Sequence, residues 1–218
     1  MRPCLSNQRT IALTMVEVLV VIVVLAVVAA VLLPVLAARK CRCMRISCDS
    51  VLRQTDLSYR VWAGDNNDKY PMQVSVTNGG AMELVATGNV AAVFEVMSNE
   101  LSTPKVLICP QDTKSIMATN FGRGFNDSNI SYFVGLDADQ TNPQMLLSGD
   151  DNFAVGGIPV KSGLLLLATN APVSWTAARH VRQGNIGLAD GSVQQLTTDG
   201  LQQALQRTGA ATNRLAIP

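Results

Sequence analysis

The stretch LTMVEVLVVIVVLAVVAAVLLPVL, residues 13–36, is the most apolar part of the chain and decides its fold. Its 24 residues include one charged side chain, Glu17, and one helix breaker, Pro34. An α-helix of this length extends about 36 Å, which exceeds the roughly 30 Å of a bilayer's hydrocarbon core. We therefore predict a transmembrane helix over residues 13–36, bent at Pro34 because proline removes a backbone donor.

Glu17 is the unusual residue of this stretch. A carboxylate near the centre of a bilayer costs about 2.5–3.5 kcal/mol, and less near the edge. Glu17 follows the start of the apolar run by only four positions. Either it has a partner that offsets this cost, or it lies at headgroup depth and contributes little.

The residues around Glu17 resemble the amino-terminal signal of type IV prepilins and type II secretion pseudopilins. These proteins have a short basic leader, a small residue at the cleavage site, an apolar first mature residue and a glutamate at the fifth mature position. The resemblance assigns residues 1–12 to a leader, with cleavage after Ala12, so that Leu13 becomes the first mature residue and Glu17 the fifth. Ala12 and Leu13 replace the Gly and Phe that are usual in the family.

The resemblance implies a set of partners and a location. Prepilin peptidase would cut the chain and methylate the new amino terminus, and the other partners would be pilin or pseudopilin subunits and the inner-membrane assembly platform. The protein would cross the bacterial inner membrane once, with the leader cytoplasmic and the head periplasmic. Counting basic residues opposes this orientation, because more of them follow the span than precede it; they are Arg39, Lys40, Arg42 and Arg45 against Arg2 and Arg9.

Two other interpretations of the apolar stretch stay open. Cleaved secretory signals have apolar regions of about 7–15 residues, shorter than this one. A signal anchor without prepilin-type processing would have the same length and composition as the observed stretch.

The remaining chain predicts one α+β head on the continued helix. We expect the helix to continue over residues 37–62, a globular head with a mainly antiparallel β-sheet over 63–207, and a loose tail over 208–218. Within the head, apolar patterns predict helices at 90–101 and 198–207 and strands at 105–109, 130–135, 145–148 and 164–169. Residues 149–159 are expected to form a loop. A hairpin of residues 184–189 and 192–196 is predicted around Asp190-Gly191, a pair suited to a type I′ turn.

The segment RHVRQGNIGLADGSVQQL, residues 179–196, gives a second resemblance. It matches the H-x9-DG signature at the carboxy terminus of many bacterial prepilin-like proteins, with His180, Asp190 and Gly191 as its defining residues. We expect His180 to be structural and bonded to a loop carbonyl or to a carboxylate such as Asp190 or Asp150. A catalytic triad would need an activated nucleophile, and no G-x-S-x-G elbow is present, so we do not expect an enzyme.

Cysteine placement allows a disulfide in the head. Cys4 would leave with the leader, and Cys41, Cys43 and Cys48 lie on the predicted helix extension. Their spacing lacks the C-x2-C pairing of common zinc sites, and the single histidine, His180, is distant in sequence, so no metal site is predicted there. The alternatives are a disulfide, with Cys48 and Cys109 as candidates, and free buried thiols.

Asp65, Asn67 and Asp68 are weak candidates for Ca²⁺ ligands at the end of the helix. They belong to the run AGDNNDKYPM, residues 63–72, whose composition is typical of a turn. The glycine and glutamate that an EF-hand loop requires are missing. We therefore expect no cofactor, with Ca²⁺ as the alternative.

Charge and composition complete the functional expectation. The net charge is +1 and charged residues make up 15% of the chain, which does not indicate a nucleic-acid partner. The expected function is a structural pseudopilin or minor pilin subunit. The alternatives are a membrane-anchored protein that binds a ligand or Ca²⁺ and uses only the prepilin processing route, and an anchored hydrolase that uses His180 and an aspartate.

Overall fold

The structure is a computed structural model that describes residues 15–218, and for residues 34–45 the backbone alone. Its first helix, α1, runs from Met15 to Asp65. The predicted cleavage site at Ala12 and Leu13 lies outside the described residues. The chain divides into two units, Met1–Arg42 and Cys43–Pro218. The backbone is helical through Pro34, and the bend predicted there stays a prediction.

The described part of the first unit is an apolar helix. Residues Met15–Leu33 have a mean hydropathy of 3.3, and none of the side chains in this span is buried. Because the helix is long and apolar enough to cross a bilayer, it is consistent with single-pass membrane anchoring.

The second unit contains the last part of α1, nine strands and four further helices. The strands are β1 Tyr132–Gly135, β2 Leu146–Asp150, β3 Phe153–Val155, β4 Ile158–Pro159, β5 Gly163–Ala168, β6 Val173–Trp175, β7 Gly184–Leu188, β8 Val193–Leu196 and β9 Thr212–Ile217. The helices are α2 Met82–Val85, α3 Ala91–Val96, α4 Ser98–Leu101 and α5 Thr198–Arg207. The predicted α+β class and antiparallel sheet are confirmed.

The main sheet has six strands in the order β5-β9-β1-β2-β7-β8, and neighbouring strands are antiparallel. Its central strands are buried on both faces. Tyr132 and Val134 belong to one apolar cluster, which also contains Leu52 of α1, while Phe133 belongs to a second cluster with Leu205 of α5. Since side chains alternate across a strand, α1 and α5 cover opposite faces of the sheet.

The predicted tail is wrong, because Thr212–Ile217 forms β9 inside the sheet. Leu215 pairs with Leu165 of β5, and Ala216 pairs with Val134 of β1. Leu215, Ala216 and Ile217 are almost fully buried. The short sequence TNRLAI gives a weak strand signal by itself, and its two partner strands, distant in sequence, supply the hydrogen bonds.

Two other predicted segments differ from the structure. Residues 105–109 were expected to form a strand, but Pro104–Leu107 forms a 3₁₀ turn, since proline favours the first helical position and the Thr103 hydroxyl accepts from the Lys105 N–H. The helix expected over 90–101 is divided into α3 and α4 at Met97.

The loop expected over residues 149–159 instead contains part of a small second sheet, with strand order β4-β3-β6. Gly156 and Gly157 both have positive φ, 59° and 81°, and connect β3 to β4 as a two-residue hairpin turn. Phe153 and Trp175 pair across β3 and β6, with ring centroids 6.2 Å apart.

Candidate functional site

A buried group of polar and sulfur side chains lies where α1, the loop after α4 and the loop before β7 meet. Cys48 comes from α1, Cys109 from the segment after the 3₁₀ turn, and Asp150 from the end of β2. Arg179 and His180 precede β7. All five residues are at least 93% buried, so the fold has removed their side chains from water.

A disulfide joins Cys48 to Cys109 across 61 residues of chain. The Cα atoms are 5.2 Å apart, within the usual range for a disulfide. The bond fastens the segment carrying Cys109 to α1. It connects the two candidates that the sequence analysis left open between a disulfide and free thiols.

His180 lies against this disulfide. Its Nε2 atom is 3.3 Å from Cys109 Sγ and 3.5 Å from Asp150 Oδ2, and its backbone N–H donates to Gln111 Oε1 at 2.9 Å. Asp150, one of the two carboxylates considered from the sequence, thus contacts the imidazole. These contacts connect the loop before β7 to the rest of the head.

The backbone of this loop is strained. His180, Val181 and Arg182 have φ values of 53°, 53° and 59°, in the left-handed region. Each non-glycine residue in that region costs roughly 1–2 kcal/mol, and a β-branched residue such as Val181 is rare there. Strain of this kind persists only where surrounding contacts hold it, and it is common at functional sites.

Arg179 is the buried cation of the group. It pairs with Asp112 at 3.4 Å and with Asp151, and it donates to the Ser131 carbonyl oxygen at 3.2 Å. Asp150 lies further from it, at 3.9 Å. One guanidinium therefore faces three carboxylates, which makes the group acidic unless some of its members are protonated.

Burial and hydrogen bonding act differently on two of these carboxyl groups. Burial alone would raise the pKa of Asp112, but Arg179 and the hydrogen bonds from Ser131 and neighbouring groups outweigh it, so the pKa is lowered. The pKa of Asp150 is raised, because burial outweighs Arg179, His180 and two hydrogen bonds from Asn185. The surroundings thus favour the ionised form of Asp112 and the protonated form of Asp150.

The other end of the H-x9-DG signature makes different contacts. Asp190 and Gly191 lie in the connection between β7 and β8, and the Ser192 N–H donates to Asp190 Oδ1. A type I′ turn requires positive φ at both central residues, but of this pair Gly191 alone has one, 81°, so the predicted turn type is wrong. The Arg60 guanidinium of α1 donates to the Asp190 carbonyl oxygen at 3.0 Å. The two ends of the signature therefore attach the two ends of β7 to different neighbours.

Asp56 is a functional candidate that the sequence analysis missed. It is fully buried on the apolar stripe of α1, receives a hydrogen bond from the Ser148 hydroxyl, and lies where a side chain at Gly187 would overlap it. Burial raises its pKa to about 8, against the opposing effects of Ser148 and Arg53. A single acid on a helical stripe of otherwise uncharged, mostly apolar residues is the sequence signal that could have identified it.

Of the weak Ca²⁺ candidates, Asp65 is the last residue of α1, and Asn67 and Asp68 lie in the exposed turn that follows. Asn67 and Asp68 have φ values of 57° and 58°, and the Asp68 N–H donates to the Ala63 carbonyl oxygen. Among the residues that the structure describes, the group of acidic, sulfur and imidazole ligands that converges is another one, namely Cys48, Cys109 and His180.

A small cavity of about 70 Å³ lies beside the buried group, and Asp112, Asp151, Asn152 and Arg179 contribute to its lining. His180 and Asp150 do not line it. The cavity therefore presents carboxylates and a guanidinium, and the imidazole and the disulfide are not part of its lining.

Comparison with known proteins adds no assignment. No protein-family model, no curated protein and no solved structure matches the chain. Its function must therefore be inferred from its own residues.

Proposed function

We propose that this protein is a structural subunit, a pseudopilin or minor pilin, of a type II secretion or type IV pilus-like assembly. Prepilin peptidase cuts it after Ala12, and the mature chain polymerises through its apolar helix. Before assembly it resides in the bacterial inner membrane with its head in the periplasm. The observation that carries this proposal is the exposed apolar surface of residues 15–33, with Glu17 as the acid of its first turn.

The size of this surface gives the physical reason. Fifteen large apolar side chains between Met15 and Leu33 are exposed. Burying one such side chain is worth about 1.5–3 kcal/mol, so the helix is stable in lipid or against other apolar helices and unstable in water. If such a helix leaves the bilayer, it must pack against other apolar helices.

Glu17 supplies the specificity in this proposal. In the assembled fibre its carboxylate pairs with the new amino terminus at Leu13 of a neighbouring subunit. Charge pairing within an apolar surrounding is strong, because little water screens it. The pairing sets the axial position of one subunit relative to the next.

The test compares Glu17→Val with Val21→Ala in the native host. Val21 lies one helical turn further on, and its truncation alters packing but no charge. We expect both variants to insert into the membrane, and only Glu17→Val to lose multimers captured by cysteine crosslinking along the helix. Mass spectrometry should place the mature amino terminus at Leu13.

Two outcomes would overturn the proposal. Multimers of Glu17→Val at the unsubstituted level would exclude the pairing. A monomer in the membrane, with or without cleavage after Ala12, would exclude polymerisation and favour the membrane-anchored binding protein instead.

A further inference from the structure

Three potential metal ligands converge in the core of the head. Cys48 Sγ, Cys109 Sγ and a ring nitrogen of His180 all lie within 4.8 Å of one another, and all three residues are buried. The chain brings them together from positions 61 and 71 residues apart. The sequence separation that argued against a zinc site is therefore not a separation in space.

The spacing of these atoms fits tetrahedral coordination. With bond lengths of about 2.3 Å to sulfur and about 2.0 Å to nitrogen, neighbouring sulfur and nitrogen ligands of one Zn²⁺ lie roughly 3.5 Å apart. His180 Nε2 is 3.3 Å from Cys109 Sγ. The imidazole thus already stands at the distance at which it would share a cation with Cys109.

The surroundings favour a cation at this point. Asp150 Oδ2 is 3.5 Å from the same Nε2 atom, and Asp150 Oδ1 makes no hydrogen bond with the part of the chain that the structure describes. Arg179 approaches Asp150 only to 3.9 Å. A carboxylate is therefore available next to the imidazole.

We propose that Cys48, Cys109 and His180 form a Zn²⁺ site when the disulfide is reduced, so that the head has two alternative staples, a disulfide and a metal ion. Thiolate and imidazole ligands select Zn²⁺ over Ca²⁺ or Mg²⁺, which prefer oxygen. Both the disulfide and the metal ion connect α1 to the segment that contains Cys109. The metal ion also binds His180, so it connects the strained loop before β7 to these two segments.

The change from disulfide to metal site balances in atoms and electrons. A two-electron reductant such as a water-soluble phosphine cleaves the sulfur–sulfur bond; the phosphine takes an oxygen atom from water, and the two protons of that water complete two thiols. Zn²⁺ then replaces those two protons, which are released to solvent, while His180 binds as the neutral imidazole. The sulfurs must move apart to about 3.8 Å to share one ion with bonds of about 2.3 Å.

The experiment uses the full chain in detergent with Cys4, Cys41 and Cys43 replaced by serine, which leaves Cys48 and Cys109 as its cysteines. Zinc retained after gel filtration is measured with and without the phosphine. We expect one Zn²⁺ per reduced chain and none per oxidised chain. His180→Ala should weaken binding by more than the roughly 10–100-fold typical of losing an outer-shell partner, and Asp190→Asn, at the other end of the signature, should leave it unchanged.

Contradicting results are equally definite. A reduced, folded chain that retains no zinc would overturn the site, as would His180→Ala binding at the unsubstituted affinity. If circular dichroism shows that His180→Ala does not fold, the absorption spectrum of Co²⁺ bound to the reduced, unsubstituted chain tests the site instead. A tetrahedral absorption spectrum with thiolate charge-transfer bands supports the proposal, and an octahedral spectrum overturns it. None of these results depends on fibre assembly.

Discussion

The two ends of α1 share one secondary structure and have opposite surroundings. From Met15 to Leu33 every side chain is exposed within its unit. From Cys48 to Ala63 the helix buries a stripe with a spacing of mostly three or four residues, which consists of Cys48, Leu52, Thr55, Asp56, Ser58, Tyr59, Trp62 and Ala63. Apart from Glu17 the first end is apolar all round, which is consistent with a membrane span, and the second is apolar on one side, which is typical of a helix that covers a sheet.

This comparison teaches that backbone conformation and burial have separate causes. Hydrogen bonds within the helix form wherever the sequence lacks breakers, whereas burial requires a partner surface. In the head the partners are the sheet and the 3₁₀ turn: Arg53 donates to the carbonyl oxygen of Val193 in β8, and Thr55 donates to that of Val106 in Pro104–Leu107. For residues 15–33 the proposed partner is lipid or another subunit.

The largest effect is expected from removing the disulfide at the buried end. Cys48→Ser with Cys109→Ser should lower the free energy of unfolding of the head by about 4 kcal/mol, because the bond closes a long loop. Chemical denaturation of the full chain in detergent, with a chelator present, measures it. The reductant alone should reproduce the loss in the unsubstituted chain and have no effect on the variant; equal stability of all samples would show that the bond does not staple the head.

The comparison is tested directly by the same truncation at both ends of α1. Leu52 is fully buried and Leu25 is 61% exposed. Leu52→Ala should destabilise the head by about 2–5 kcal/mol through lost contacts and a cavity. Leu25→Ala should leave the unfolding midpoint of the head unchanged. Equal effects at the two positions would mean that the ends of the helix do not differ in burial.

Asp56 makes the buried end dependent on pH. Its pKa is about 8 in the folded head against 3.8 as the ordinary value. The folded state therefore holds the proton more tightly, so the contribution to stability is complete below about pH 4 and is lost as the pH rises through 8. We expect the stability of the unsubstituted chain to fall by about 1 kcal/mol between pH 6 and 7 relative to Asp56→Asn. Parallel pH profiles of the two chains would exclude this assignment.

The smallest effect is expected on the exposed side of the same segment. Asp49 and Arg53 form an ion pair of 2.9 Å at positions i and i+4, with more than half of the Arg53 side chain exposed. Such pairs contribute about 0.3–0.5 kcal/mol, since water and salt screen them. A double-mutant cycle with alanine at both positions should give this coupling in low salt and almost none in 1 M salt; a coupling that salt does not change would mean that the pair is shielded from solvent.

The buried site shows where reasoning from sequence stops. The hairpin around Asp190-Gly191 was predictable, although its turn type was not, because both residues of the pair act within the hairpin that they close. The convergence of Cys48, Cys109 and His180 was not, since it depends on how α1 packs on the sheet and on a loop with left-handed φ at three non-glycine residues. The contact between Asp56 and Ser148 was missed for the same reason.

The sequence by itself determined the apolar helix, the β7–β8 hairpin and α5, because their hydrogen bonds and side-chain periodicities are local. Only the tertiary structure decided that Thr212–Ile217 is an inner strand of the sheet and that residues 153–159 belong to a second sheet. It also decided that the single histidine meets the disulfide. Strand pairing and buried clusters join residues far apart in the chain. A local sequence pattern does not specify which distant strand will provide the hydrogen bonds, or which distant side chains will complete a buried cluster.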